Sequence, residues 1–228
     1  LAKKIGILGG ISHTSTIRYY EYILKKYHAR KRDYNYPEVV IFSLDLGRLM
    51  GYEDRGDIDG YVRYLASGAK ALENAGADFI VIAANSPHAV FDIVQKRISV
   101  PMISIVDITA RKAKALGLKK LLLTGIASTM QSSFYPVVFD KYGITVITPS
   151  EAEQGEINGF VFEELVLGIF KETTRKRIME IIGEYEVEGV IVGCTELSLM
   201  LNQEDTPLRL LNTLELHAQA ALDFALED

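Results

Sequence analysis

The chain has 228 residues, 48% of them hydrophobic and 24% charged, and a formal net charge of −5 at pH 7. That charge argues against a nucleic-acid or anionic-membrane surface, which needs a field of Lys and Arg, while the apolar content is ample for a buried core. A single cysteine rules out an intramolecular disulfide, and the opening apolar run is too short for a signal or membrane-spanning segment, so a cytoplasmic protein is expected.

In chain order, the first apolar run, Lys4 to Leu8, reads as a strand and ends in Gly9-Gly10-Ile11-Ser12-His13-Thr14. The glycines permit a tight strand-to-helix turn that Ser12 or Thr14 caps. The spacing is neither GxGxxG nor the P-loop pattern, so a nucleotide site is not expected, although such a turn also presents backbone N–H groups to a carboxylate. The basic cluster Lys25 to Arg32 reads as the exposed C-terminal end of a helix, where cations oppose the dipole. A second strand, Val39 to Phe42, precedes Arg48, whose bidentate fork suits a substrate carboxylate; an exposed loop arginine is the plainer reading. Ile58, Val62, Leu65, Ala69 and Leu72 recur at helical spacing before Gly76. The strand Phe79 to Ala83 then runs into Ala84-Asn85-Ser86-Pro87-His88. This stretch is either a helix start, with Asn85 or Ser86 as cap and Pro87 at the first position, or part of a site in which His88 orients a ligand or bonds a neighbouring carbonyl. His13 reads as a loop residue, and His28 and His217 as structural. Met102 to Ile105 is the fourth strand.

The same four signals then recur in the same order: Leu121 to Thr124, Ile144 to Ile147, Gly189 to Gly193 and Leu208 to Leu211. Matching anchors keep nearly constant offsets, Lys120 − Lys4 = 116, Gly193 − Ala83 = 110, Pro207 − Pro101 = 106 and Ala218 − Ala110 = 108, which marks an internal duplication. Helical spacing at Ile178, Ile181, Ile182 and Tyr185 fills one interval of the second copy. Continuously apolar strands alternating with helices imply an α/β fold of two pseudosymmetric lobes, each a parallel sheet flanked by helices. The expected division is residues 1–107 plus 212–228 for the first lobe and 108–211 for the second. The helix after Thr213 returns to the first lobe, just as its counterpart after Asp107 leads into the second.

In open parallel sheets the reactive site lies beyond the carboxyl ends of the strands, where Gly10, Ser12, Asn85, Ser86, His88, Cys194, Thr195 and Glu196 fall. A lone cysteine is more often a small buried hydrophobe than a reactive group. Cys194, however, directly follows a buried strand beside Thr195-Glu196, and a helix starting there would lower its pKa and let a thiolate act as base. The His and Cys residues lack metal-ligand spacing, so no metal is expected.

Four segments resemble the aspartate/glutamate racemase superfamily: Gly9-Gly10-Ile11-Ser12 with Ser15-Thr16, Asn85-Ser86-Pro87-His88, Ile157-Asn158 with Phe162-Glu163-Glu164-Leu165 and Gly168, and Gly193-Cys194-Thr195-Glu196. The likeness runs over essentially the whole chain. It implies an isomerase of amino-acid metabolism, an aspartate-racemase-like homodimer that uses neither pyridoxal phosphate nor a metal. Its substrate is an acidic amino acid or related dicarboxylate, with Gly10, Ser12, Arg48, Asn85, Ser86, His88, Thr195 and Glu196 around it. In such racemases one cysteine from each lobe works on one face of the α-carbon, with Asn85 and Thr195 on opposite sides of a shared cleft. This chain departs from that pattern: the first cysteine is replaced at Ala84, or at Ala83 under the other alignment, and Cys194 is the one remaining thiol.

Three readings are compatible with that departure. The chain is an amino-acid racemase in which water, Ser86 or His88 performs the second proton transfer; or a single-cysteine lyase or isomerase, resembling the decarboxylases of the superfamily, for which one proton donor suffices; or a non-catalytic carboxylate-binding homologue. Family weight favours the first.

Overall fold

The computed structural model describes residues 2–227. The chain forms two compact units, Leu1–Ile105 with His217–Asp228, and Val106–Leu216. In the first unit the order is β1 (Ile5–Gly9), α1 (His13–Lys31), β2 (Val39–Ser43), α2 (Leu46–Asp54), α3 (Ile58–Asn74), β3 (Phe79–Ile82), a 3-10 turn (Ser86–Val90), α4 (Phe91–Gln95) and β4 (Met102–Ile103). Helix α5 (Ile105–Ala115) leads into β5 (Lys120–Thr124), α6 (Ala127–Met130), α7 (Phe134–Asp140), β6 (Thr145–Ile147), α8 (Glu151–Glu163), α9 (Glu172–Gly183), β7 (Gly189–Val192) and β8 (Arg209–Asn212). Helix α10 (Thr213–Leu226) belongs to the first unit from His217 onward, and Lys3 N–H donates to Ala225 O there at 2.8 Å.

Each unit holds one four-stranded parallel sheet, ordered β2-β1-β3-β4 and β6-β5-β7-β8. The eight strands fall where the apolar runs place them, because parallel strands covered by helices on both faces must be apolar at every position. Thus Ile5, Ile7 and Leu8 of β1 and Phe79 to Ile82 of β3 are fully buried, as are Leu121 to Leu123 of β5. In the first unit, Leu65, Ala69 and Leu72 of α3 carry the predicted helical stripe into a core with Leu8, Ile80 and Ile82. The helix ends differ in detail from expectation. Tyr185 lies beyond α9, which stops at Gly183, and Asp107 lies inside α5, which already starts at Ile105.

Local chemistry explains the helix limits. The Asp57 side chain accepts from Gly60 N–H at 2.8 Å and starts α3, and Ser150 with Glu153 forms a reciprocal capping box on α8. Helix α1 ends in His28, Arg30 and Lys31, closed by a left-handed Arg32 whose N–H reaches His28 O at 2.9 Å, so the basic cluster is the helix end that the sequence implied. None of the described helices is long and apolar enough to cross a membrane.

Candidate active site

Strand register defines which loop positions are equivalent in the two units. Leu8 pairs with Ile82, and Ala83 N–H donates to Leu8 O at 2.9 Å; Thr124 pairs with Val192, and Gly193 N–H donates to Thr124 O at 2.7 Å. Ala83 therefore matches Gly193, and Ala84 matches Cys194. Of the two alanines that could stand for the replaced cysteine, Ala84 occupies the cysteine-equivalent place, while Ala83 continues the ladder and is fully buried.

The first loop of the first unit is rigid. Gly10 has φ +82°, and a Cβ there would collide with the backbone of Leu44. Ser12, a non-glycine, also has positive φ, 84°, a conformation that costs of order 1 kcal/mol and persists only under constraint. The constraint is Thr16: its Oγ1 accepts from Gly10 N–H at 2.9 Å and donates to Ser12 O at 3.1 Å, while Ser12 Oγ accepts from Ser15 N–H at 3.5 Å as the cap of α1. The Gly10 N–H expected to meet a carboxylate is thus bonded to Thr16. Arg48 lies in the first turn of α2 rather than in a loop. Its guanidinium sits 4.4 Å from the Tyr64 ring centroid, with Nε and Nη2 at 3.4 and 3.3 Å from Tyr52 Oη, so an exposed cation is held in one place.

After β3, Asn85 is buried and opens the 3-10 turn, but its side chain does not cap it. His88 is buried with both ring nitrogens committed to backbone: Ile105 N–H donates to Nε2 at 3.2 Å, which leaves Nδ1–H to donate to Ala84 O at 3.0 Å. The ring stacks on Phe91 at 5.3 Å, and burial, with His217 close by, pushes its pKa down to about 3. His88 is therefore a neutral strut under Ala84, bonded to a neighbouring carbonyl, the second of the two roles that the sequence left open. Its neighbour His217 accepts from Tyr19 Oη at Nδ1 (2.8 Å) and donates to Ile103 O at Nε2 (2.8 Å), with its pKa lowered to about 4 by burial. Ser86 hydrogen-bonds Tyr61, which also bonds Glu53 and whose phenol is pushed up mainly by burial.

In the second unit Cys194 is buried at the end of β7, its Sγ–H donating to Glu196 Oε2 at 3.1 Å; Thr195 Oγ1 donates to the same oxygen at 2.8 Å. Only a three-residue 3-10 turn, Leu197–Leu199, comes next, so the full helix expected to stabilise a thiolate is absent. Burial, then the Glu196 charge and hydrogen bond, raise the thiol well above its ordinary pKa, and the Leu197 and Glu196 N–H groups only partly oppose this. The resting group is a thiol next to a carboxylate acceptor. Asn158, read in the sequence only as part of a motif, accepts Ala127 N–H at 2.9 Å through Oδ1 and so anchors the loop after β5. In the sequence Thr16 reads only as part of the first motif, and Tyr61 gives no sequence signal, because its partners Glu53 and Ser86 lie in other elements.

The sequence matches the Asp/Glu/hydantoin racemase family over residues 8–221. It is 28% identical over 212 residues to the broad specificity amino-acid racemase RacX of Bacillus subtilis, covering 90% of this chain and 91% of that protein. The crystal structure of an aspartate racemase homologue from Pyrococcus horikoshii is 37% identical with a TM-score of 0.87, covering 99% of this chain and 100% of that one. The aspartate racemase of Picrophilus torridus, 22% identical with a TM-score of 0.76 over 98% of this chain and 94% of its own, shares the fold. The chain belongs to the Asp/Glu/hydantoin racemase family.

Proposed function

We propose that the protein is a cofactor-independent enzyme that exchanges the α-proton of an amino acid at Cys194, with an acidic amino acid as its preferred substrate. The observation that carries this reading is the buried thiol donating to Glu196 Oε2 at 3.1 Å. That contact gives the thiol proton somewhere to go. Transfer from Sγ to Glu196 makes a thiolate; the thiolate takes the α-proton, and the C–H electron pair stays on carbon. Reversal from the same sulfur returns the proton with retention, whereas inversion needs a donor for the other face. Ala84 has none, His88 has both nitrogens committed and Ser86 hydrogen-bonds Tyr61, so the donor left is water, or Ser86 once it releases Tyr61. Arg48, preordered on Tyr52 and Tyr64, is the group assigned to the side-chain carboxylate.

The test is incubation of each enantiomer of aspartate, glutamate and a panel of other amino acids in D₂O, following α-deuterium and chirality together. The panel must extend beyond acids because the Bacillus subtilis relative is named for broad specificity. Deuterium uptake that disappears in Cys194→Ala is the expected result. Failure of every amino acid to exchange overturns the proposal.

A second reading is favoured by the buried Cys194 Sγ–H standing as a donor to Glu196 Oε2, with burial raising its pKa. A protonated Cys194 suits a reaction whose carbanion forms without a base. Loss of CO₂ from an activated dicarboxylate leaves the electron pair on carbon, Sγ–H supplies the proton, and solvent reprotonates the sulfur. Release of CO₂ from α-substituted malonates, without amino-acid exchange, would select this reading over the first.

A further inference from the structure

Arg48, the group assigned above to a substrate carboxylate, already meets an oxygen of the protein itself. Its Nε and Nη2 lie 3.4 and 3.3 Å from Tyr52 Oη. These two N–H groups form one edge of the planar guanidinium, an edge on which a carboxylate docks with two parallel hydrogen bonds. The phenol offers one oxygen where a carboxylate offers two, so both donors share it at distances longer than the usual N–H···O range. The nearby Asp45 side chain is engaged elsewhere, accepting from Arg48 N–H at 3.1 Å as the cap of α2.

Both partners are fixed in place. The guanidinium lies over the Tyr64 ring at 4.4 Å, and Tyr64 Oη accepts from Asp45 N–H at 2.9 Å, so one residue sets the start of α2 and the cation it carries. The Tyr52 ring packs so closely on Gly60 of α3 that a Cβ there would lie 2.5 Å from two of its carbons. Arg55 sits over the same ring at 5.4 Å. Tyr52 is half-buried and Arg48 is exposed, so the paired groups remain open to an incoming ligand.

We infer that Tyr52 is a specificity-determining residue: its hydroxyl fills the Nε/Nη2 edge of Arg48 in the place of a substrate carboxylate, so that neutral as well as acidic amino acids are accepted. The inference rests on Arg48 as the carboxylate-binding group. An acidic side chain must either break the Arg48–Tyr52 contact or bind only on the edge made by Nη1 and Nη2, and either way part of its charge-assisted bonding is offset. An amide side chain loses less, because its single acceptor oxygen does not call on both donors of the filled edge. The phenol thus narrows the advantage of aspartate over asparagine without abolishing it.

Isothermal titration of the full chain with aspartate and asparagine, and with glutamate and glutamine, gives the preference for the acid within each pair. Tyr52→Phe keeps the ring that packs on Gly60 and removes only the oxygen. It is expected to raise the preference for the acid by roughly 2- to 10-fold, the net worth of one hydrogen bond, through tighter binding of the acid with the amide nearly unchanged. A merely structural role would move both members of a pair together. Arg48→Gln should lower the preference, and adding Tyr52→Phe to it should restore nothing. An unchanged or reduced preference in Tyr52→Phe, while Arg48→Gln still lowers it, overturns the inference and leaves the carboxylate-binding role of Arg48 standing. A preference that survives Arg48→Gln removes that role and the inference with it, as does a wild type that binds none of the four amino acids.

Discussion

The loops after β3 and β7 leave their sheets at equivalent points and diverge in chemistry from the next residue on. In the first unit Ala84 carries no ionisable group, and its carbonyl is tied down by a neutral, buried His88. In the second unit Cys194 carries a thiol, and the residue two places on brings a carboxylate to it. The backbone equivalence survives because sheet register enforces it: Ala83 and Gly193 must each close a ladder bond to the central strand. Nothing in that ladder depends on the side chain one position later. A duplicated fold can therefore keep its architecture while the chemistry becomes one-sided, and experiments that move chemistry between positions 84 and 194 test that view directly.

The largest effect is expected from removing the second-unit chemistry. Cys194→Ala or Cys194→Ser should lower α-proton exchange to the solvent background, a loss of about 10³-fold or more if the thiol is the reacting group. Exchange that persists in both variants would show that the comparison concerns packing only. Next comes the attempt to make the two loops alike. Ala84→Cys should raise inversion relative to exchange, by up to about 10²-fold. Misplacement of a reacting atom by ~1 Å costs about that much, so the gain can be smaller. An unchanged ratio of inversion to exchange would mean that a thiol at 84 does not reach the α-carbon.

The strut under Ala84 gives an effect on stability. His88 and His217 are held neutral, with pKa values of about 3 and about 4, against roughly 6.5 in an unfolded chain. The unfolded state thus binds more protons as pH falls. Stability is full above about pH 6.5 and declines below it, by roughly 1.4 kcal/mol per pH unit for each histidine until the folded-state pKa is reached. His88→Asn retains a donor for Ala84 O and removes one of these protons. Urea unfolding between about pH 6 and pH 4.5 should show the slope reduced by one histidine's share, the carboxylates being common to both proteins. An identical slope would mean that His88 is already charged in the fold.

Much of this was legible in the sequence for a physical reason. Parallel strands buried on both faces are apolar runs, and Gly, Asn and Pro mark their ends, so eight strands and the duplication could be read directly. Three of the four motif segments also lie at the strand ends that the pattern implied, while the one starting at Ile157 lies in α8 and the turn after it. The features that could not be read depend on partners far away in the chain. The engagement of both His88 nitrogens requires Ile105 and Ala84 to converge, and the pairing of His217 with Tyr19 requires α10 to return to the first unit. Gln95 and Gln203, whose side-chain oxygens accept from Met102 N–H on β4 and Leu210 N–H on β8, carry no signal until those outward backbone groups are known. The same holds for Cys194, whose expected helix is a single 3-10 turn and whose pKa is governed by burial and a side chain two residues on.

The smallest expected effect isolates that side chain. Burial alone raises a thiol by penalising its charged form, and Glu196 adds to this because a thiolate 3.1 Å from a carboxylate oxygen faces a like charge. Glu196→Gln removes the charge while leaving an amide oxygen that can still accept from Thr195. Its volume is nearly the same, so desolvation of the sulfur should be retained. The thiolate fraction at neutral pH should then rise. Since Cys194 is the sole cysteine, the rate of alkylation by iodoacetamide, followed by intact mass across a pH series, reports this group without interference. A midpoint that moves down in Glu196→Gln, with α-proton exchange impaired despite the more abundant thiolate, identifies Glu196 as the acceptor of the thiol proton. A midpoint that stays where it was assigns the raised pKa to burial alone. The carboxylate would then be a brace for Thr195, and the one-sided chemistry of the second unit would rest on the sulfur by itself.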